Sequence, residues 1–363
     1  MILPLFRHIQ ETYSTTKLLV NLTVTLYMIP FSIFQIFSGV LSDTLYGRKR
    51  VIVFGSSLYC MGAILAYYAP SVFLFLFARI LQGMGSAFVI PITMALVGDF
   101  FEYHQRGKVM GLGALSTTLG ATIGPLVGGY LGLIDWRLSF LLMFVIGLIV
   151  LLISLWIPEK QKRVPRSDLT GTILKCLRNR KVLLIGFLGM ILFFTRLSIY
   201  TFLSNIILYP PYNLSSDLWG TYLFMAGLGG MIAGLLAGFL ADYVGREKVA
   251  SIGFIMLNVV ISLYLVMECF SYLPLLLFLL GVFGSFSMTP LNTLAVEVNP
   301  KLRGTASSIY NSLRFIGYAL APVLPFPIYA RYGISSIFMM NLFLALIGFI
   351  LMVLALQKKE KKY

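Results

Sequence analysis

The sequence contains few of the side chains on which most protein chemistry depends. Its 363 residues include 13 acidic residues, two histidines and three cysteines, and charged residues make up only 11%. So few cysteines and histidines predict neither a disulfide framework nor a metal site, and we find no HExxH, GxSxG or phosphate-binding loop. We therefore expect no catalytic residue, metal or cofactor, and we disfavour a membrane enzyme.

Hydrophobic residues, in contrast, make up 59% of the chain. One soluble core cannot bury so much apolar surface, and a membrane-spanning helix takes about 20 apolar residues. Eleven such runs predict an all-α polytopic membrane protein embedded in a lipid bilayer. Their approximate spans are 17–41, 51–69, 72–98, 108–132, 138–157, 182–209, 218–241, 249–268, 273–296, 304–330 and 334–356.

The net charge of +15 does not indicate a nucleic-acid partner, because the basic residues follow the predicted loops. Of the 28, 21 lie in alternate loops and the C-terminal tail. Short loops rich in Lys and Arg stay in the cytoplasm. This asymmetry predicts a multi-pass protein of the plasma membrane with a cytoplasmic C-terminus.

The two halves of the chain repeat each other at an offset of about 198 residues, as parallel transporter repeats do. Matching pairs are Gly47-Arg48 with Gly245-Arg246, Gly83 with Gly281, Asp99 with Glu297, Arg106-Gly107 with Arg303-Gly304, and Pro125 with Pro322. We expect two pseudo-symmetric bundles, 1–157 and 182–356, a basic cytoplasmic linker at 158–181, a basic tail at 357–363, and a solute site between the bundles.

The first half has one span fewer than the second. Projecting the repeat backwards places the missing helix before Met1, with residues 1–15 as its external end. This pattern predicts helices 2 to 12 of a twelve-helix fold and a truncated or late-started sequence. A genuine eleven-helix protein is the alternative.

A charged loop follows the first span and recurs in the second half, as GVLSDTLYGRKR (39–50) and GFLADYVGREK (238–248). It resembles motif A, a gate element of the major facilitator superfamily. Glycine permits the tight turn, and an Asp at one helix end can pair with an Arg at the next. The first copy has one extra residue between Asp43 and Gly47. A plain charged turn is the alternative reading. The candidate residues are Gly39, Asp43, Gly47, Arg48, Lys49, Gly238, Asp242, Gly245 and Arg246.

The third span carries ARILQGMGSAF, in which Arg79, Gln82 and Gly83 resemble the same family's motif B. A charge at membrane depth is functional by default. The resemblance implies a role for Arg79 in proton transfer or substrate access. Alternatively, Arg79 snorkels to the interface.

The fourth span carries GATIGPLVGG, which resembles motif C of the drug-exporter branch. Small residues four apart let helices approach closely, and proline bends a helix. A generic packing face is the alternative reading. The candidate residues are Gly120, Gly124, Pro125, Gly128 and Gly129.

Arg196 and Arg314 lie deep in predicted spans, whereas no acidic residue is clearly at mid-span. We expect both arginines to face a positive cavity, together with Asn311, Tyr27, Gln35 and Asn205. The alternative is that backbone carbonyls or amide side chains hold each arginine as structure. The positive cavity predicts an anionic solute or, alternatively, a carboxylate on the missing first helix. The resemblance implies alternating-access export of amphipathic compounds by a monomer that exchanges protons. A metabolite facilitator or importer and a non-transporting membrane protein are the alternatives.

Overall fold

The computed structural model describes residues 1–44, 47–158, 176–266, 272–298 and 303–360. Over these ranges the chain is helical, as predicted, and Leu3–Leu5 form a short 3₁₀ turn. The α-helices are α1 (Phe6–Thr12), α2 (Lys17–Thr44), α3 (Arg48–Tyr68), α4 (Val72–Phe100), α5 (Tyr103–Ile134), α6 (Leu138–Leu155), α7 (Arg180–Ile207), α8 (Ser216–Val244), α9 (Arg246–Val266), α10 (Leu273–Glu297), α11 (Arg303–Leu320), α12 (Phe326–Tyr332) and α13 (Ile334–Glu360).

Ten of the described helices, namely α2 to α10 and α13, are long and apolar enough to cross a membrane. The predicted span 304–330 differs from the others. It is split into α11 and α12, because Pro322 and Pro325 cannot continue the helix at its end. Helix α11 also carries Arg303 and Arg314, which lower its hydropathy.

Two glycines turn the chain sharply at equivalent places in the two halves. Gly47 precedes α3 with φ 79°, and Gly245 lies between α8 and α9 with φ 102°. L-residues with a Cβ rarely adopt such positive angles. The expected role of glycine in these turns is therefore seen in both copies.

The halves pack their helices in the same pattern. In the first half, α4 packs against α2 and α3, and α3 packs against α6. In the second half, α10 packs against α8 and α9, and α9 packs against α13. These are repeat-equivalent pairs, so the described residues form the two pseudo-symmetric bundles that the repeat predicted.

Among the described residues, the main helix contacts between the bundles are those of α5 with α8 and of α2 with α11. In the repeat, α5 of the first half corresponds to α11 of the second, and α2 corresponds to α8. The two contacts are therefore equivalent under one pseudo-twofold rotation. The predicted linker 158–181 lies largely outside the described residues, as does the end of the tail 357–363. The domain boundaries therefore stay a prediction.

Candidate functional site

The helix ends define two opposite faces. We call the face with the turns before α3 and α9 the motif A face. The opposite face, which carries α1 and the turns before α4, α6 and α8, is the N-terminal face.

At the motif A face, an arginine in each bundle pairs with an acid from another helix of that bundle. Arg48 Nη1 lies 2.7 Å from Asp99 Oδ2, joining the start of α3 to the end of α4. Arg246 pairs with Glu297 in the same way, joining α9 to α10. The repeat matched both partners of these pairs but did not predict that they touch.

The Asp–Arg pairing expected within motif A is weak in the second copy, where Arg246 Nη2 lies 3.8 Å from Asp242 Oδ1. In the first copy, the surroundings of Gly39 and of the Asp43 side chain lie outside what the structure describes. Lys49 follows Arg48 in the first turn of α3 and is half-buried. Gly238 is not tightly packed, since an added Cβ would make an ordinary van der Waals contact of 3.8 Å with Thr289.

At the N-terminal face, the first part of α2 is hydrogen-bonded to the second bundle. Lys17 Nζ donates to the backbone oxygen of Asn205 at 2.7 Å, and Asn205 Nδ2 donates to Asn21 Oδ1 at 3.2 Å. Asn21 Nδ2 donates to the Pro322 oxygen at 3.0 Å, and Thr25 Oγ1 donates to Ala319 at 2.7 Å. Asn21 and Asn205 are fully buried. We call Lys17, Asn21, Thr25 and Asn205, together with the backbone acceptors at Ala319 and Pro322, the α2 seal.

The chain before α2 adds to this closure. Arg7 Nη1 donates to the backbone oxygen of Leu208 at 3.0 Å, and Tyr209 donates its hydroxyl to Gln10 Oε1 at 2.5 Å. Burial raises the pKa of Tyr209, so the hydroxyl keeps the proton that it donates. The N-terminal face is thus closed by contacts from both bundles.

Part of motif C packs against α8 near the same face. Ser216 Oγ donates to the Gly129 oxygen at 2.9 Å, and a Cβ added to Gly220 would lie 2.5 Å from the Pro125 oxygen. Gly124 and Gly128 face Met1 instead, and Gly120 has nothing within 4 Å. Contact between motif C and α8 therefore extends from Thr122, which a Cβ added to Gly227 would approach to 2.8 Å, to Gly129.

Towards the motif A face, α5 separates from its surroundings. Residues 110–121 are exposed on nearly every side, and the exposed flank of α8 includes Leu235 at 70% and Phe239 at 68%. The hydroxyls of Ser116, Thr117 and Thr118 donate to carbonyls of their own helix. Helices α5 and α8 thus touch at one face and part towards the other.

Arg79 of motif B lies inside the first bundle with a relative exposure of 6%. Its Nε donates to the Thr23 oxygen at 3.0 Å, and its Nη1 donates to Gln82 Oε1 at 2.6 Å. The guanidinium also lies 4.4 Å from the ring centre of Tyr27. Arg79 therefore joins α4 to α2 at depth, an arrangement unlike the snorkelling alternative.

Gly83, also of motif B, allows α4 to cross α2 closely, because an added Cβ would collide with the backbone of Tyr27. Its repeat mate Gly281 does the same for α10 against Ala226 of α8. The close crossing belongs to the architecture of both bundles.

Arg314 is held as the structural alternative anticipates. Its Nη1 donates to Asn292 Oδ1 at 2.9 Å, and Phe193, Tyr310 and Phe315 surround its guanidinium at 4.8 to 5.3 Å. The sequence had placed Asn311 beside it, but Asn292 of α10 supplies the amide. Sequence spacing cannot reveal a partner from another helix.

Aromatic rings connect the buried Arg79 to the half-buried Arg314 across the bundle interface. Tyr27 stacks on Phe31 with centroids 6.3 Å apart, and Phe31 meets Phe315 edge-on at 4.9 Å. Gln35, further along α2, makes a long contact of 3.5 Å to Ser312. Tyr27 and Gln35 thus lie at the interface, whereas Asn205 belongs to the α2 seal.

Arg196 lies about halfway along α7 and is half-buried beside Gly284 of α10. Unlike Arg79 and Arg314, it has no hydrogen-bond or ion-pair partner among the described residues. The structure therefore distinguishes the two arginines that the sequence treated alike.

Comparison with known proteins gives consistent likenesses over the whole chain. The family model described as Major Facilitator Superfamily matches residues 1–231 and 193–363. The chain is 25% identical to the uncharacterized MFS-type transporter YwfA of Bacillus subtilis, over 99% of this chain and 89% of the relative. It is 26% identical to the bacillibactin exporter of the same organism, over 100% and 93%. A mutant of the nucleoside transporter NupG matches with a TM-score of 0.78 at 12% identity, over 97% of this chain and 94% of that one, and this likeness shows the fold alone.

Proposed function

Because this chain belongs to the major facilitator superfamily, a family of membrane transporters, we propose that it exports small amphipathic or anionic compounds in exchange for protons. It would do so as a monomer of the drug:proton antiporter branch, with a pathway between the two bundles of one chain. The family membership confirms the resemblance found in the sequence motifs. The branch, the direction and the proton coupling belong to the proposal.

The contrast between the two ends of the α5–α8 contact carries this proposal. The bundles meet through glycines and buried hydrogen bonds at the N-terminal face, and α5 stands exposed towards the motif A face. A carrier that works by alternating access needs a state closed on one side and open on the other. These contacts have the form of such a state.

The charge distribution supplies the proposed orientation. The basic loops follow the helix ends at the motif A face, and the positive-inside rule supports a cytoplasmic position for that face. A solute would then enter from the cytoplasm, and breaking the α2 seal would release it outside. Motif C and the likeness to an exporter support this direction.

A flux assay on the purified chain in proteoliposomes tests the proposal. An inwardly acidic pH gradient is imposed, and a pyranine signal reports proton movement while candidate amphipathic cations, neutral compounds and organic anions are added. Substrate uptake that dissipates the gradient would support antiport. Absence of flux for every class would contradict the proposal.

A facilitator or importer of the same fold is the second candidate, and one observation favours it. The acids in the described parts of the spanning helices lie near helix ends, such as Asp99, Asp217, Asp242 and Glu297. A proton carrier at mid-depth is most simply a buried carboxylate. Flux that leaves the pH gradient unchanged would favour this candidate.

A further inference from the structure

Arg196 occupies a slot that a glycine of the neighbouring helix creates. A Cβ added to Gly284 of α10 would lie 3.0 Å from both Cδ and Nε of Arg196. Such distances are tighter than normal van der Waals contact, so a larger residue would displace the arginine side chain. Gly284 thus sets where the guanidinium lies.

Within this slot, the positive charge lacks a protein partner. The Nε atom of Arg196 is buried without a hydrogen-bond acceptor, and no carboxylate pairs with the guanidinium among the residues that the structure describes. The Tyr200 hydroxyl, one helical turn away on α7, is also buried and unpartnered. Buried donors almost always have acceptors, and a charge at membrane depth needs compensation.

Arg314 shows what a compensated arginine looks like in the same bundle. Its Nε also lacks an acceptor, but its Nη1 donates to Asn292, and its guanidinium lies against three aromatic rings. Asn292 Oδ1 also accepts the Tyr310 hydroxyl at 2.8 Å, so this amide oxygen is already shared. An anion at Arg314 would have to compete with Asn292 for the guanidinium. At Arg196, no acceptor from the described residues would compete with it.

An aromatic surface lies beside the Arg196 slot. Phe193 precedes Arg196 by nearly one turn of α7, and its ring centroid lies 5.9 Å from those of Tyr318 and Phe315. Phe31 of α2 extends this surface across the bundle interface. Phe193, Phe315 and Tyr318 are half-buried, so part of each ring is accessible. We call Phe31, Phe193, Phe315 and Tyr318 the aromatic surface.

We propose that Arg196 binds the acidic group of an aromatic monoanion, such as an aryl carboxylate or sulfonate, whose ring packs on the aromatic surface. This substrate class deepens the proposed function and rests on it. A guanidinium recognises a carboxylate through two parallel hydrogen bonds. Aromatic rings favour edge-on and offset contacts with another ring.

Calorimetric titration of the purified full chain in lipid nanodiscs tests this assignment with three probes. The probes are 1-naphthoate, the neutral 1-naphthylmethanol, and the non-aromatic cyclohexanecarboxylate. We expect 1-naphthoate to bind at least about tenfold more tightly than either other probe, because only it satisfies both parts of the site. Equal binding of the three probes, or no binding of 1-naphthoate, would overturn the proposal.

Variants then locate the site. Arg196→Gln should weaken 1-naphthoate binding by about tenfold or more and leave 1-naphthylmethanol unchanged, and Arg196→Lys should recover part of the loss. Arg331→Gln, which removes an exposed arginine at the end of α12, is the matched control and should change neither probe. Unchanged naphthoate affinity in the folded Arg196→Gln variant would refute the assignment.

Should Arg196→Gln fail to fold, Gly284→Ala tests the same slot without removing the charge. It should weaken 1-naphthoate binding several-fold, because the added methyl group displaces the guanidinium. No change in affinity would count against the proposal.

The flux assay separates this proposal from the broader one. Arg196-dependent binding of 1-naphthoate without proton-coupled flux would support the site and contradict antiport. Proton-coupled flux of other compounds, with no preference for 1-naphthoate, would support the antiporter and reject the aromatic monoanion.

Discussion

Arg48 and Asp99 form an ion pair of 2.7 Å that stays within the first bundle, from the start of α3 to the end of α4. Its counterpart, Arg246 with Glu297, stays within the second bundle. Neither pair crosses the interface that has to open in an alternating-access cycle. Both pairs can therefore persist while the bundles tilt as units, and the gating role of motif A stays a prediction.

The first prediction concerns the stability that this pair supplies. In a double-mutant cycle with Arg48→Gln and Asp99→Asn, we expect a coupling energy of about 0.5–1 kcal/mol, because partly exposed ion pairs are screened by solvent. The measurement is the denaturant midpoint of the purified protein. A change in the distance between the bundles in either variant, without a change in the free energy of unfolding, would show that the pair acts as a gate instead.

The second prediction concerns the α2 seal. Asn21→Leu removes hydrogen bonds to Asn205 and Pro322 and leaves buried polar groups unpaired, which costs about 1–3 kcal/mol in the closed state. A penalty of this size shifts a two-state equilibrium about five- to 150-fold towards opening at the N-terminal face. Pulsed EPR between spin labels at Ile134→Cys and Tyr332→Cys should then show a larger population with the longer distance between the two labels.

Thr23→Val is the matched control for this experiment. The Thr23 side chain is buried on the same helix, but its hydroxyl donates only to the Val20 carbonyl one turn earlier. The distance distribution should stay that of the parent protein. An identical distribution in Asn21→Leu would mean that these hydrogen bonds do not hold the face closed.

The third prediction concerns the glycine contact between α5 and α8. Gly220→Ala places a methyl group against the Pro125 carbonyl, and overpacking of this kind costs about 1–3 kcal/mol. We expect lower thermal stability and separation of the bundles near the N-terminal face. Gly120→Ala should be neutral or stabilising by up to about 1 kcal/mol, since nothing lies within 4 Å of its added Cβ.

The fourth prediction concerns the geometry of Arg79. Arg79→Lys keeps the positive charge but cannot present the planar fork that reaches both the Thr23 carbonyl and Gln82. Transport measured in proteoliposomes should fall by about tenfold or more, at unchanged expression. Arg331→Lys serves as the control, and equal activity of the two variants would show that charge alone matters at Arg79.

The repeat predicted which residues occupy equivalent places, and several such pairs have the same structural role in the two halves. Gly47 and Gly245 both turn the chain with positive φ, and Gly83 and Gly281 both permit close helix crossings. Pro125 and Pro322 do not match in this way. Pro125 lies inside α5, whereas Pro322 follows the end of α11. A second proline, Pro325, lies directly before α12, and the repeat carried no information about this break.

The sequence by itself determined the helical membrane fold, its duplication and its family, because apolar run lengths, glycine turns and motif spacing are local properties of the chain. Tertiary structure alone decided which bundle contacts are closed, that Asn292 rather than Asn311 holds Arg314, and that Arg196 stands unpartnered beside Gly284. These are contacts between helices far apart in the chain. Their identity depends on how each helix is rotated and packed against its neighbours, and residue spacing does not specify that rotation.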